Sequence, residues 1–115
     1  MKVETIAYFN QKFKKLKRKY HLAEEFLTEV IEEFKRGDLL GDKIPSVGYD
    51  VYKLRVANPS SQRGKSGGFR LIYYLRVADH IYLLTIYAKS EQENISAEAI
   101  RSLVAEILDA EPPSE

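Results

Sequence analysis

The sequence contains no cysteine and no tryptophan, and only two of its 115 residues are histidine. The absence of cysteine excludes a disulfide framework and thiol chemistry, and it is consistent with a reducing compartment such as the cytosol. Two histidines without cysteine also leave few side chains for a zinc site. We therefore expect a cytoplasmic domain that uses no metal and no cofactor.

Long hydrophobic runs are also missing. No stretch approaches the roughly 20 apolar residues that a membrane-spanning helix needs, and the N-terminus is too polar for a secretory signal peptide. Hydrophobic residues make up 44% of the chain and charged residues 30%, which is ordinary for a globular protein. The length predicts a single domain, which we place at residues 1–111, followed by a frayed tail at 112–115.

Acidic residues are absent from one long stretch. Between Val51 and Ala78 the chain has no Asp or Glu, although its formal net charge is only +1. The basic residues in this stretch are Lys53, Arg55, Arg63, Lys65, Arg70 and Arg76. A second basic block lies in the first 22 residues, where Glu4 is the only acid. Blocks of this kind are typical of surfaces that bind phosphate.

Hydrophobic periodicity predicts an α+β domain. Apolar residues recur at helical spacing in the first third of the chain and near its end, and they alternate with polar residues in between. The predicted elements are a strand at 2–7, helices at 10–20 and 22–37, three antiparallel strands between 51 and 89, and a helix from Ser96 to Pro112. We expect the N-terminal helical hairpin and the C-terminal helix to pack on one face of a mostly antiparallel sheet, whose other face stays at least partly open.

Alternation along two of these strands predicts a basic sheet face. The side chains expected under the helices are Tyr52, Leu54, Leu71 and Tyr73, and those expected on the opposite face are Lys53, Arg55, Arg70 and Arg76. Cations that converge on one face repel one another, so stability alone does not explain the arrangement. A phosphate-binding surface is one interpretation. Solvated charges that prevent edge-to-edge aggregation are the other, and both stay open.

Two other motifs carry less information. Residues 63–66 match the end of a phosphate-binding P-loop motif. However, Pro59 stands at the position of the motif's first glycine, and a strand follows instead of a helix. What remains is a basic, glycine-rich loop that can touch phosphate. Tyr74 and Tyr87 are expected on the basic face, where they can stack on bases. The lysines of the first helix are interpreted as a solvated surface.

The ordered set of strand motifs is similar to the RelE/HigB family of bacterial toxins. The resemblance is carried by residues 52–56, 68–74 and 85–91, and the order of the helices agrees, so it extends over nearly the whole chain. It implies that the chain is the toxin of a type II toxin–antitoxin pair. Many members of the family act by cutting mRNA in the ribosomal A site without a metal. The implied partners are the ribosome and an antitoxin from the adjacent gene, with a helix-turn-helix domain if the HigB likeness holds.

The resemblance also implies site residues. The family's basic pair on the second strand matches Lys53 and Arg55, its next-strand arginine matches Arg70, and a basic position after the last strand matches Lys89. These four are the expected catalytic residues, and the expected RNA-binding residues are Arg63, Lys65, Tyr74, Arg76 and Tyr87. Where RelE proper has a second arginine this chain has Ser90, and Ser96 lies near the position of the catalytic tyrosine. Both departures favour the HigB-like branch and leave the general base unassigned.

The implied mechanism is attack of an mRNA 2′-hydroxyl on the adjacent phosphate, which gives a 2′,3′-cyclic phosphate and a 5′-hydroxyl. Lys53 is a candidate base or proton relay, and Arg70 is expected to stabilise the pentacoordinate phosphate. Two alternatives stay open. The related ParE toxins use the same architecture to inhibit DNA gyrase, and a non-catalytic module that binds RNA or protein has the same surface requirements.

Overall fold

The computed structural model describes residues 2–22, 25–36, 41–59, 68–77, 80–92 and 94–110. The helices and strands in these ranges confirm the α+β class and follow the predicted order. They are β1 (Lys2–Thr5), α1 (Ala7–Tyr20), α2 (Glu25–Lys35), β2 (Asp42–Lys43), β3 (Val51–Val56), β4 (Phe69–Arg76), β5 (His80–Ala88) and α3 (Ala97–Ala110). Among these helices, none is long and apolar enough to cross a membrane.

The strands form one sheet in the order β1-β5-β4-β3-β2. β1 runs parallel to β5, and the other neighbours are antiparallel, as predicted for the β3–β4–β5 meander. β5 is buried along nearly its whole length and lies inside the sheet, which agrees with its apolar sequence. The two-residue β2 was not predicted, because a strand of this length has no measurable period.

The start of α1 differs from the prediction. The helix begins at Ala7 instead of after Asn10, and its N-cap residue Ile6 makes no side-chain capping hydrogen bond. The apolar contacts of Phe9, which is fully buried, therefore outweigh the capping preference that Asn10 offered. The helix ends as expected at Tyr20, where His21 adopts a left-handed conformation with φ 53°.

Helices cover both faces of the sheet. α1 and α2 pack on the face formed by Phe69, Leu71 and Tyr73. α3 packs on the opposite face, against Ile72 and Tyr74. The expectation that all helices share one face is therefore wrong for α3. The reason lies in the central strands, which are apolar on both sides, so a second layer is needed to remove the second face from water.

A β-bulge interrupts the pairing of β4 with β5. Ile72 pairs with Thr85 and Tyr73 pairs with Leu83, so Leu84 is an additional residue on β5. Ile81 and Leu83 face the hairpin before the bulge, and Ile86 and Ala88 face it afterwards. Tyr87 is thereby turned to the α3 face of the sheet.

Candidate functional site

Three predicted site residues lie side by side across three strands. Arg55 on β3 pairs with Arg70 on β4, and Arg70 pairs with Tyr87 on β5. Side chains that are directly opposite across neighbouring strands lie about 5 Å apart at their Cβ atoms. We call Arg55, Arg70 and Tyr87 the cross-strand row. It brings two guanidinium groups and one phenol together on a single sheet face.

Lys53 lies next to the row on the same face. It is two residues from Arg55 on β3, so its side chain points the same way. Its Nζ atom donates a hydrogen bond of 3.4 Å to Oδ1 of Asn94, in the segment that leads into α3. Asn94 was not found from the sequence, because it is 41 residues from Lys53 and carries no recognisable motif.

The two arginines of the row differ in burial. Arg70 is only 4% exposed, and its guanidinium donates a 3.1 Å hydrogen bond to the carbonyl oxygen of Phe69. Arg55 is exposed. A buried cation is expensive to desolvate and needs good hydrogen bonds, so Arg70 is held in a fixed orientation. The row therefore combines one fixed guanidinium with one that is free to move toward a ligand.

Tyr87 closes the row with a buried phenol, so its ring, contrary to expectation, is not open for stacking on a base. The residue is 6% exposed, and its hydroxyl has no hydrogen-bond partner within the described ranges. Burial raises the pKa of this phenol above its ordinary value, and the positive charge of Arg70 offsets part of the increase. The hydroxyl is consequently protonated at neutral pH and has a proton available for donation.

Tyr74 and Arg76 are on the predicted face but not at the row. Tyr74 is 7% exposed, and its ring stacks on Tyr82 at 6.1 Å and meets Tyr49 edge-on at 5.9 Å. Its ring therefore belongs to the core under α3 and is not an open stacking platform, contrary to expectation. Arg76 is six residues beyond Arg70 on β4, which places it about 20 Å away along the strand.

The remaining predicted site residues lie outside or at the margin of this cluster. Lys89 is exposed directly after β5, and its backbone N–H donates a 3.0 Å hydrogen bond to the carbonyl oxygen of Gly68. Because Ala88 pairs with Phe69, Lys89 is at the same end of the sheet as Arg70. Arg63 and Lys65 lie outside the described residues.

The histidines serve the structure elsewhere. His80 contacts the Glu4 carboxylate at 2.6 Å and stacks on Tyr82, so it ties β5 to the edge strand β1. In the part of the chain that the structure describes, no three His, Asp or Glu side chains are grouped so that they could hold a metal ion.

Paired arginines with a nearby lysine on one sheet face form an arrangement whose hydrogen-bond donors and charge suit phosphate groups. A family model described as the RelE toxin of the RelE/RelB toxin–antitoxin system matches residues 5–110 of this chain. The match extends over most of the sequence, so the protein belongs to the RelE toxin family. Its members are toxins that pair with an antitoxin, and the family is generally associated with mRNA cleavage.

Proposed function

We propose that this RelE-family toxin is a ribosome-dependent mRNA endonuclease of the HigB-like branch that inhibits translation without a metal. The observation that supports the proposal best is the direct pairing of Arg55 with Arg70, beside Lys53. Two neighbouring guanidinium groups repel each other in the free protein, and a phosphate between them removes this repulsion. The two guanidinium groups stabilise the phosphate most in the transition state of cleavage, because its negative charge is greatest there.

The basic side chains divide three roles in the proposed reaction: base, donor to the phosphoryl oxygens, and acid. Lys53, in its neutral amine form, takes the proton of the attacking 2′-hydroxyl as the new bond to phosphorus forms and becomes an ammonium. Arg70 and Arg55 donate hydrogen bonds to the phosphoryl oxygens, whose negative charge is greatest in the pentacoordinate state. The bond from phosphorus to the 5′-oxygen then breaks, and Lys89 supplies a proton to that oxygen. The products are a 2′,3′-cyclic phosphate and a 5′-hydroxyl.

The test is the replacement of Arg70 by alanine and, to retain side-chain volume, by glutamine. We expect Arg70→Gln to reduce cleavage of translated mRNA about 10²- to 10³-fold, since one transition-state donor of this kind contributes that much. Cleavage sites are mapped by primer extension, and circular dichroism checks the fold. Arg76→Ala is the matched control, because it removes an arginine from the same strand and face at about 20 Å from the row.

Three results contradict the proposal. Undiminished cleavage by a folded Arg70→Gln protein removes Arg70 from the reaction. Growth arrest with a DNA-damage response and intact mRNA identifies a gyrase inhibitor of the ParE type instead. Harmless induction in cells that lack the neighbouring antitoxin gene leaves a binding module.

The proposed partner is an antitoxin encoded next to the toxin, with a helix-turn-helix domain. We expect an acidic segment of it to cover the row, because Arg55 and Lys53 present positive charge there and complementary charge favours association. Copurification of the two gene products tests the pairing. Replacing the acidic segment of the antitoxin tests where that segment binds. We expect the altered antitoxin to lose the ability to neutralise a toxin that is still toxic.

A further inference from the structure

Residues 89–96 connect β5 to α3, and we call them the β5–α3 linker. The backbone N–H of Gln92 donates a 3.2 Å hydrogen bond to the carbonyl oxygen of Ala88, and its side-chain amide donates a 2.9 Å bond to the carbonyl oxygen of Asn94. Towards α3, Ser96 accepts a 3.1 Å hydrogen bond from the backbone N–H of Ala99 and thereby caps the helix. Asn94 therefore lies between two anchored points of the linker.

The side chain of Asn94 reaches the sheet face that carries the cross-strand row. Its Oδ1 atom accepts the 3.4 Å hydrogen bond from Nζ of Lys53, which is half-buried on β3. A lysine side chain has four rotatable bonds and a correspondingly large number of rotamers. An acceptor on an anchored linker reduces the range of positions that its amine samples. Asn94 thus determines where the amine of Lys53 lies.

A carboxylate lies opposite Lys53 but is not its partner. Asp42 on β2 pairs with Lys53, which places their Cβ atoms about 5 Å apart. Both residues are described, and their side chains form neither an ion pair nor a hydrogen bond with each other. An ion pair would favour the ammonium form of lysine, which has no lone pair to accept a proton. The amide oxygen of Asn94 accepts an N–H without adding a negative charge.

Two guanidinium groups lie on other sides of Lys53. Arg55 follows it by two residues on β3, and Arg70 is diagonal to it on β4. β5 contributes the uncharged phenol of Tyr87 at the far end of the row. The acid in the first turn of α3 is Glu98, which is exposed. The arginines oppose a third positive charge on this face, so they act in the same direction as the choice of an amide partner.

We propose that Asn94 positions Lys53 for proton abstraction. The inference rests on the proposed endonuclease reaction and assigns one more residue to it. A neutral amine has two N–H groups and one lone pair. One N–H is bonded to Oδ1 of Asn94, and the lone pair takes the proton of the 2′-hydroxyl as its oxygen bonds to phosphorus. The ammonium that forms keeps the bond to Asn94. Asn94 touches no reacting atom, so it is a positioning residue and not a catalytic one.

Two substitutions at Asn94 separate the effect of position from that of charge. Asn94→Ala removes the acceptor, whereas Asn94→Asp keeps an acceptor of nearly the same shape and adds a negative charge. Ser96→Asp is the matched control, because it adds the same charge two residues further along and aspartate caps a helix as well as serine does. Asn94 and Ser96 are both exposed, so we expect all three variants to fold, as checked by circular dichroism.

The first measurement is the pH dependence of single-turnover mRNA cleavage on purified ribosomes. We expect Asn94→Asp to move the rising limb of the profile to higher pH by about one pH unit, because a carboxylate beside a base favours its charged form. At neutral pH this is about a tenfold loss of rate, which is recovered at high pH. Asn94→Ala should lower the rate about tenfold at every pH without displacing the profile. Ser96→Asp should change neither.

The second measurement follows the Lys53 side chain without RNA. Carbon-13 relaxation of its ε-methylene group gives an order parameter that reports how far the end of the side chain moves. We expect the order parameter to fall in Asn94→Ala and to be retained in Asn94→Asp and Ser96→Asp.

Equal order parameters in Asn94→Ala and the wild type overturn the proposal, and so does a pH profile that Asn94→Asp and Ser96→Asp displace equally. The relaxation measurement separates this result from the fate of the endonuclease proposal. A toxin that cuts no mRNA but loses the order of Lys53 in Asn94→Ala keeps the positioning contact and refutes the endonuclease. A toxin that cuts mRNA equally well in all three variants keeps the endonuclease and refutes the role of Asn94.

Discussion

The Tyr87 hydroxyl shows how a single polar atom can oppose stability at a site. A buried hydroxyl without a partner costs about 1–3 kcal/mol relative to a bonded one, and this one has none in the described ranges. Removing it in Tyr87→Phe keeps the ring that packs against the α3 core. We expect the variant to raise the free energy of unfolding by about 1 kcal/mol, measured by urea denaturation.

Tyr20→Phe is the matched control, because the Tyr20 hydroxyl donates a hydrogen bond to Glu91. Its removal is expected to lower the free energy of unfolding. A Tyr87→Phe protein that loses stability as Tyr20→Phe does would mean that the Tyr87 hydroxyl is bonded in the folded protein.

Glu91 provides a prediction about pH. The hydrogen bond from Tyr20 and the nearby Lys19 hold the pKa of this carboxyl below its ordinary value of 4.5. A lowered folded-state pKa stabilises the protein above the unfolded-state pKa, and this contribution is lost as pH falls through the folded-state value. We expect Tyr20→Phe to raise the pKa of Glu91, as followed by carbon-13 NMR of the carboxyl. The difference in unfolding free energy between wild type and Tyr20→Phe should shrink as pH falls below about 4. A difference that does not change with pH would mean that Tyr20→Phe acts through packing and not through the Glu91 carboxylate.

At the scale of elements, the loop before β2 approaches β3 closely. A Cβ atom on Gly41 would lie 2.2 Å from the carbonyl oxygen of Lys53, and Gly41 has φ +95°. Gly48 has nearly the same φ, +91°, but no atom within 4 Å of a Cβ atom. Gly48→Ala therefore tests the backbone cost alone, about 1 kcal/mol, whereas Gly41→Ala adds a clash and should cost about 3 kcal/mol in thermal denaturation.

Equal losses at the two glycines would show that the loop can move away from β3. If it cannot, Gly41→Ala should also displace the backbone of Lys53 and reduce RNA cleavage, which Gly48→Ala leaves unchanged.

Local pattern was sufficient for some elements and not for others. Alternation correctly placed Lys53, Arg55 and Arg70 on one face, because each side chain of a regular strand has its direction fixed by its neighbours. The face of α3 depends on which sheet surface lacks a cover, and that is a property of the assembled layers. The bulge at Leu84 leaves no mark in composition. The burial of Arg70 and Tyr74, and the contact of Lys53 with Asn94, result from long-range packing that periodicity does not record.

For the whole molecule, the near-neutral net charge conceals separated surfaces. The ion pairs Lys19–Glu91 and Lys43–Asp50 are both exposed, and such pairs add little to stability. The proposed phosphate-binding residues, by contrast, would act through charge. We expect the melting temperature to change little when salt rises from about 50 to about 200 mM, while RNA affinity falls with a log–log slope near −2 to −4. A flat salt dependence of RNA binding would contradict a phosphate-directed interface.

The extra residue at Leu84 changes how β5 is to be compared with other chains. Before it, odd-numbered side chains face the helical hairpin, and after it, even-numbered ones do. In a relative whose β5 lacks this one residue, the side chain equivalent to Tyr87 would point away from the arginines, even if every other residue were identical. A β5 strand exchanged between two toxins therefore keeps its side chains on the correct faces only if its length is unchanged, whatever the differences in its sequence.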